Sequence, residues 1–304
     1  MYSFKPRREL LNSKSTANIM EIKPSKEWIE VAELFERDGK KLFVIGASDS
    51  GKTTFLLFIL NFLIKKGKRV GMLDFDIGQS SIGPPTTVGF GIANKEVETL
   101  TEIKPEKLYF IGSVSPKGYL LQMLIGAEKL TKETGKHRID YLLVDTTGLV
   151  DGPVAEILKE AKIEIINPDF IILFEEDKER ESLVKPFIYS EKKIIRLKPS
   201  PHASQRNREE RIKYRERRFK EYFKEGRIIR IVFSEKNLLG SDLNYEIPPP
   251  GTLISLLDKD RFSVSLGVVK SFDKEGGTMT VVVPSSFCNK DIKFIKFSRY
   301  TVDF

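Results

Sequence analysis

The stretch from Lys41 to Gln79 constrains the fold most, because it sets a glycine-bounded loop between an apolar strand and an apolar helix. The apolar run 42–45 is typical of a buried parallel strand. The loop, residues 46–53, reads Gly-Ala-Ser-Asp-Ser-Gly-Lys-Thr, and residues 54–60 place apolar side chains on every face of a helix. Glycine lets the backbone bend around an anion, and the loop N–H groups and the helix N-terminus then converge on it.

We call residues 46–53 the glycine loop and expect it to bind the phosphates of a nucleotide. In this context Lys52 can reach the β- and γ-phosphates, and the Thr53 hydroxyl can ligate Mg²⁺. The residues predicted to bind the nucleotide are Gly46, Ser48, Asp49, Ser50, Gly51, Lys52, Thr53 and Thr54.

Two carboxylates follow the next predicted strand, residues 69–73. Alternation along a strand puts Asp74 and Asp76 on the same side, at or just beyond its end. The carboxyl end of a strand beside a phosphate loop is where an α/β sheet places Mg²⁺ and substrate. We therefore predict Asp74 and Asp76 as metal ligands, with a surface turn carrying two solvated acids as the alternative.

The composition limits the class of protein. A chain of 304 residues can hold one large α/β domain and a smaller one. A single cysteine, Cys288, excludes an intrachain disulfide and a cysteine-cluster metal site. The longest apolar run, residues 55–64, is too short to span a bilayer, and no signal peptide is evident, so we expect a soluble, cytoplasmic protein with no membrane contact. The formal charge of +8 indicates an anionic partner larger than a nucleotide.

The order of the predicted elements indicates an α/β fold. Apolar runs at 108–113, 141–145, 170–174 and 193–197 alternate with helical segments, which favours a mainly parallel sheet flanked by helices. We predict an N-terminal extension over residues 1–24 and a P-loop domain over 25–226. Short β-type runs separated by turns predict a small C-terminal β domain over residues 227–304. No pattern in the sequence indicates the oligomeric state.

An arginine-rich segment, residues 204–222, contains eight basic and four acidic side chains. Most charge runs are solvated helices with ion pairs on their surface, and that alternative stays open. The segment is richer in arginine than in lysine, however, and guanidinium groups suit phosphate oxygens. We therefore predict a helical lid over about residues 200–223 that faces the phosphates.

Several segments resemble those of the polynucleotide 5′-hydroxyl kinase family of P-loop RNA-processing kinases. The similarity lies in the glycine loop, in residues 74–79 (Asp-Phe-Asp-Ile-Gly-Gln), in Pro84-Pro85, in residues 110–116 and in the strand end 145–148. The resemblance implies Mg²⁺-dependent transfer of the γ-phosphate of ATP or GTP to the 5′-hydroxyl end of RNA. It leaves DNA open as a second acceptor.

The resemblance also implies roles for individual residues. Lys52 would stabilise the migrating phosphoryl group, and Asp76 would organise the metal and accept or orient the proton of the attacking hydroxyl. Arg206 and Arg211 match the catalytic lid arginines of the family, although the first of the pair can also be aligned with Arg208. The residues that would bind the substrate are Gln79, Pro85, Thr147, Gly148 and Arg208. Several relatives have a tryptophan where this chain has Leu149, so a stacking ring is absent there.

Two other classes of function fit part of the sequence. One is a regulatory ATPase or GTPase switch that binds RNA or a protein partner without phosphorylating a polynucleotide. The other is a scaffold subunit without catalysis. The acids after the second strand and the predicted lid favour the kinase, because a switch has no need of a second anion-binding site.

Overall fold

A computed structural model describes residues 24–199, 206–239, 248–288 and 292–303. The predicted N-terminal extension, apart from Pro24, lies outside the described residues, as do residues 200–205 of the predicted lid. Within the described ranges the strands form two sheets, one of seven strands and one of six.

The first sheet confirms the predicted α/β class, because five of its seven strands are parallel to one another. Its order is β4-β3-β2-β5-β1-β6-β7, and only β3 and β4, at one edge, run antiparallel to their neighbours. The parallel strands next to the glycine loop are apolar runs buried on both faces, as strands covered by helices must be. The strands are β1 (Lys41–Gly46), β2 (Val70–Asp74), β3 (Thr87–Ala93), β4 (Pro105–Phe110), β5 (Tyr141–Asp145), β6 (Phe170–Phe174) and β7 (Lys193–Leu197).

Helices cover both faces of this sheet. On one face α1 (Lys26–Asp38) and α2 (Lys52–Lys65) bury Phe35 and Phe55 against β1 and β6. On the other, α3 (Leu120–Thr134) and α4 (Pro153–Ile166) pack side by side over a second apolar cluster. The result is a three-layer sandwich whose parallel strands all end at the same edge as the glycine loop.

Strand β3 was not among the predicted elements. Its residues Gly89 and Gly91 disfavour a strand by propensity, yet both are required by close packing. A Cβ at Gly89 would lie 2.5 Å from the backbone oxygen of Ile82, and one at Gly91 would lie 2.7 Å from Ile103 Cγ2. Gly89 therefore lets the loop after β2 fold back over β3, and Gly91 lets the segment before β4 pack against it.

The second sheet confirms the predicted C-terminal β domain. Its order is β8-β12-β11-β10-β13-β9, and all its pairs are antiparallel except β13 with β9. Alternating apolar side chains of these strands, with Phe233 and Phe287, form its core. The strands are β8 (Arg227–Val232), β9 (Leu238–Leu239), β10 (Thr252–Leu257), β11 (Ser263–Asp273), β12 (Thr278–Val283) and β13 (Phe294–Thr301).

The arginine-rich segment forms α5 (Arg208–Tyr222). Asn207 caps its N-terminus, accepting a hydrogen bond from the backbone of Glu210, whose side chain accepts one in return from the backbone of Asn207. At the other end Phe219 and Phe223 pack against the second sheet and Phe110. The base of α5 is therefore fixed, and its N-terminal half reaches toward the glycine loop. No helix in the described part of the chain is long and apolar enough to cross a membrane.

Candidate active site

The glycine loop runs from the end of β1 into the first turn of α2. Gly46 is required by packing, because a Cβ there would lie 2.7 Å from Ser50 Oγ and 2.8 Å from Phe174 Cβ. Asp49 and Gly51 adopt positive φ values of 60° and 97°, so the chain turns sharply before the helix begins at Lys52. This turn aims the free N–H groups of the first helical turn into the space above the loop, as an anion site requires.

Lys52 is buried and bends back over the loop, where its Nζ donates to the backbone oxygen of Ala47 at 2.6 Å. Burial lowers the pKa of its amine, and the charges of Asp145 and Asp76 oppose this shift. The amine is therefore held inside the loop among carboxylates, at the place where phosphates would bind.

Thr53 and Asp145 define the best candidate for a metal site. The Thr53 hydroxyl donates to Asp145 Oδ2 at 3.1 Å. Asp145 is buried at the end of β5, beside the paired end of β2, and burial followed by the charge of Asp76 raises the pKa of its carboxyl. A hydroxyl and carboxylates are the oxygen ligands that Mg²⁺ accepts, so these residues fit that ion. Asp145 was not among the predicted metal ligands, although it is an acid at a strand end of the same sheet.

Both carboxylate oxygens of Asp74 accept hydrogen bonds from groups of the protein. Its Oδ1 accepts from the backbone N–H of Asp76 at 2.8 Å. Its Oδ2 accepts from Ser80 Oγ and from the backbone N–H groups of Ser81 and Ile82, at 3.0, 2.6 and 2.9 Å. Asp74 therefore holds the turn after β2 in shape, and its role as a metal ligand stays a prediction.

Asp76 faces the cleft from that same turn. Its Oδ1 accepts the backbone N–H groups of Gly78 and Gln79, each at 3.0 Å, so the carboxylate is fixed in orientation. Among the described residues no protein group donates to its other oxygen, which leaves room for a metal or a substrate hydroxyl. The roles of Asp76 in metal binding and proton transfer stay predictions.

The lid arginines meet the glycine loop. Arg206 donates from Nη1 to Gln79 Oε1 at 2.7 Å, and its backbone N–H donates to Asp49 Oδ2 at 3.1 Å. Arg211 donates from Nη2 to the same carboxylate oxygen at 3.1 Å. Asp49 thus binds two arginines that a triphosphate could attract. Arg208, in contrast, lies exposed in the first turn of α5.

A cleft of about 260 Å³ opens between the glycine loop, the turn after β2 and α5. We call it the lid cleft. It unites residues that are distant in sequence. Among the described residues the Nε of Arg215 is buried without a hydrogen-bond partner. Arg215 is a further residue that the sequence interpretation left unassigned, because a run of arginines does not reveal which of them face inward. Among the residues lining the cleft are Ser48, Asp76, Gln79, Ser115, Thr147, Gly148, Leu149, Arg211 and Arg215.

The loop after β5 closes one side of the lid cleft. A Cβ at Gly148 would lie 2.1 Å from Ser48 Oγ, so this loop touches the glycine loop directly. Lys159 of α4 supports it from below, donating to Thr146 Oγ1 and to the backbone oxygen of Thr147, both at 2.7 Å. The Thr147 hydroxyl is buried and has no hydrogen-bond partner in the part of the chain that the structure describes. Pro85, which was predicted to bind substrate, is buried in the chain before β3 and is not among the residues that line the cleft.

The strand, glycine loop and helix, with acids at the neighbouring strand ends, define a P-loop nucleotide-binding protein. The family model for the mRNA cleavage and polyadenylation factor CLP1 P-loop matches residues 46–225. The polyribonucleotide 5′-hydroxyl-kinase of Methanocaldococcus jannaschii is 33% identical over 86% of this chain and 87% of its own length. That of Pyrococcus horikoshii is 30% identical over 85% of this chain and 84% of its own.

These matches show that the chain belongs to the CLP1 P-loop family, which confirms the resemblance drawn from the sequence. A solved structure of a Clp1p–Pcf11p complex contains the same fold, with a TM-score of 0.72 and 13% identity over 91% of this chain and 79% of that one.

Proposed function

We propose that this protein is a polynucleotide 5′-hydroxyl kinase that transfers the γ-phosphoryl group of ATP or GTP to the 5′-hydroxyl end of RNA. One observation carries the proposal. Lys52, Arg206 and Arg211 converge at the glycine loop, next to a cleft with a fixed carboxylate, Asp76, on its wall. The site for the nucleoside triphosphate and the site for the acceptor hydroxyl would thus adjoin each other, as direct transfer of a phosphoryl group requires.

The chain's own residues account for the steps of the transfer. The acceptor oxygen forms a bond to the γ-phosphorus as the bond to the β–γ bridging oxygen breaks, and Asp76 receives the hydroxyl proton. Lys52 and the lid arginines stabilise negative charge on the transferring group. Thr53, Asp145 and Asp76 would hold Mg²⁺, which neutralises phosphate charge when bound.

The acceptor would enter by the lid cleft. Two cationic side chains, Arg211 and Arg215, face the loop of Thr147 and Gly148 across it. Guanidinium groups bind phosphate oxygens, and the Thr147 hydroxyl is available as a further donor, so the cleft suits a phosphodiester next to the 5′ end. Leu149 supplies no aromatic stacking surface, and we therefore assign acceptor binding to the backbone phosphate more than to the first base.

The regulatory switch and the scaffold are not favoured. Archaeal relatives aligned over most of their length are named kinases of polyribonucleotide 5′-hydroxyl ends. A switch would also leave Arg215 and Thr147, which line the lid cleft, without a ligand.

Incubation with γ-labelled ATP or GTP and a 5′-hydroxyl RNA or DNA oligonucleotide tests the proposal. We expect label on the RNA, loss of transfer in Lys52→Ala, and normal transfer in Lys65→Ala, an exposed lysine of the same helix. Release of free phosphate without labelled oligonucleotide would instead support the switch. If neither labelled oligonucleotide nor free phosphate formed, the result would support the scaffold.

A further inference from the structure

Arg206 lies outside α5 and has no helix to fix its side chain. It precedes the N-cap of the helix, and its side chain is 46% exposed. A long side chain in such a position samples many rotamers, whereas a group that stabilises a transition state acts best when it is already oriented. The structure contains three contacts that restrict it. Two are polar, the hydrogen bond to Gln79 and a 3.8 Å ion pair between Nε and Asp49 Oδ1.

The third contact is the ring of Tyr214. The Arg206 guanidinium carbon lies 5.4 Å from the centre of this ring, within the range of a cation–π interaction. The other two contacts are made by polar oxygens of Gln79 and Asp49, whereas this one is made by the face of an aromatic ring. Asp49 lies in the glycine loop and Gln79 lines the lid cleft. A bound triphosphate and acceptor would therefore compete with these two side chains for the Arg206 guanidinium. The ring can keep its contact while the guanidinium exchanges carboxylate for phosphate.

Tyr214 is itself anchored to the turn that carries Asp76. Its hydroxyl donates to the backbone oxygen of Ser80 at 3.3 Å, and Ser80 Oγ donates to Asp74. Burial raises the pKa of the Tyr214 hydroxyl, so it stays protonated and able to donate. The neighbouring turn of α5 adds a second anchor, because Arg218 donates to the backbone oxygen of Gly83 at 2.9 Å. Tyr214 therefore connects Arg206 to the turn that carries Asp76.

We infer that Tyr214 is a positioning residue that holds Arg206 over the transferring phosphoryl group by stacking on its guanidinium. The inference rests on the proposed function for its kinetic consequence and on the Arg206–Tyr214 contact for its structure. The ring also contacts the guanidinium of Arg217, whose carbon lies 5.5 Å from the ring centre. Arg217 is exposed and pairs with Glu221, whereas Arg206 meets the glycine loop, so we assign the effect of the ring on the transfer rate to its contact with Arg206.

Two variants separate the ring from its hydroxyl. Tyr214→Leu removes the π face, and we expect the single-turnover transfer rate to fall about fivefold to tenfold with little change in KM for ATP. Tyr214→Phe keeps the face and loses the Ser80 hydrogen bond, so most of the rate should be retained. Tyr189→Leu, at a tyrosine that is 97% exposed, is the matched control and should behave as wild type.

A double-mutant cycle distinguishes positioning from a general packing role. In an Arg206→Ala background, Tyr214→Leu should have almost no further effect on the rate, because the group it positions is gone. An equal fall in both backgrounds, or no fall in either, would overturn the inference.

A second readout does not depend on catalysis. The NMR resonance of the Arg206 Nε–H, assigned with Arg206→Lys, should be displaced by the ring current in wild type and Tyr214→Phe. In Tyr214→Leu it should return toward the value of an exposed arginine. If the wild type transferred nothing to RNA, the proposed function would fail, while this resonance would still decide whether the stack exists. An unchanged resonance in Tyr214→Leu would contradict the inference.

Discussion

Lys162 of α4 is a buried amine whose replacement should stabilise the protein. Within the described ranges its Nζ has no hydrogen-bond partner. The Nζ lies 4.7 Å from the centre of the Phe75 ring, and the side chain is fully buried. Removing an ammonium group from water without a partner is strongly unfavourable. Methionine has an unbranched, apolar side chain that can fill the space of the lysine side chain. We therefore expect Lys162→Met to raise the free energy of unfolding near neutral pH.

The size of the effect follows from the pKa of the amine. Burial lowers the pKa of Lys162 from 10.5 to about 7, although the charges of Asp76 and Asp74 oppose this shift. A change of that size corresponds to about 5 kcal/mol of differential interaction between the charged and neutral forms. Between pH 7 and 10.5 the unfolded chain binds this proton and the folded chain does not, so wild-type stability rises with pH in that window. Most of the penalty remains at about pH 7, and about 1 kcal/mol remains at about pH 9.5.

Guanidinium unfolding of wild type and Lys162→Met at both pH values measures this directly. The stabilisation by methionine should be about 3 kcal/mol smaller at the higher pH. Lys132→Met, at an exposed lysine of α3, is the control and should show no such difference. A pH-independent difference for Lys162→Met, or a loss of stability at about pH 7, would contradict the lowered pKa of the Lys162 amine.

Three further predictions concern the site itself. Asp145→Asn removes a carboxylate from the candidate metal site, and the Mg²⁺ concentration for half-maximal transfer should rise about 10- to 100-fold in a metal titration. Asp49→Asn frees Arg211 from its ion pair and removes a negative charge beside the triphosphate, so calorimetry should find ATP bound about 3- to 10-fold more tightly. Gly148→Ala places a Cβ 2.5 Å from the backbone nitrogen of Ser48, which should displace the glycine loop and weaken ATP binding at least about tenfold by the same method.

Matched variants control these three measurements. Asp151→Asn, at an exposed acid near the site, should leave the Mg²⁺ requirement and ATP affinity unchanged. Gly135→Ala should be tolerated, because its nearest neighbour would be 3.5 Å away. Unchanged Mg²⁺ dependence in Asp145→Asn, weaker ATP binding in Asp49→Asn, or normal binding in Gly148→Ala would each contradict the role assigned here.

The sequence predicted the centre of the fold and of the site because local patterns determine them. An apolar run, a glycine-bounded loop and an apolar helix form one unit, whose dihedral and packing requirements are contained in neighbouring residues. The lid arginines were also predictable, since their density is visible in residues 206–218. The division into a domain over residues 25–226 and another over 227–304 stays a prediction, supported by the two separate sheets and testable by limited proteolysis.

The remainder of the site depends on contacts between distant segments. The pairing of Asp74 with Asp145 across β2 and β5 decides which acid meets the Thr53 hydroxyl, and sequence spacing contains no information on that register. Lys159 and Lys162 would be assigned to solvent on a charged helix, yet both are buried beneath the site. The inward direction of Arg215 likewise follows from how α5 is anchored at Phe219.

The central claim is that the lid cleft receives a 5′-hydroxyl end and that the γ-phosphoryl group moves to it. Two RNA oligonucleotides of one sequence, with a 5′-hydroxyl and a 5′-phosphate respectively, are incubated with γ-labelled ATP, and the position of the label is determined by nuclease digestion. We expect label only on the first oligonucleotide, on its 5′-terminal nucleotide, and no transfer by Asp76→Ala. Label on both oligonucleotides, or ATP hydrolysis with label on neither, would contradict the central claim.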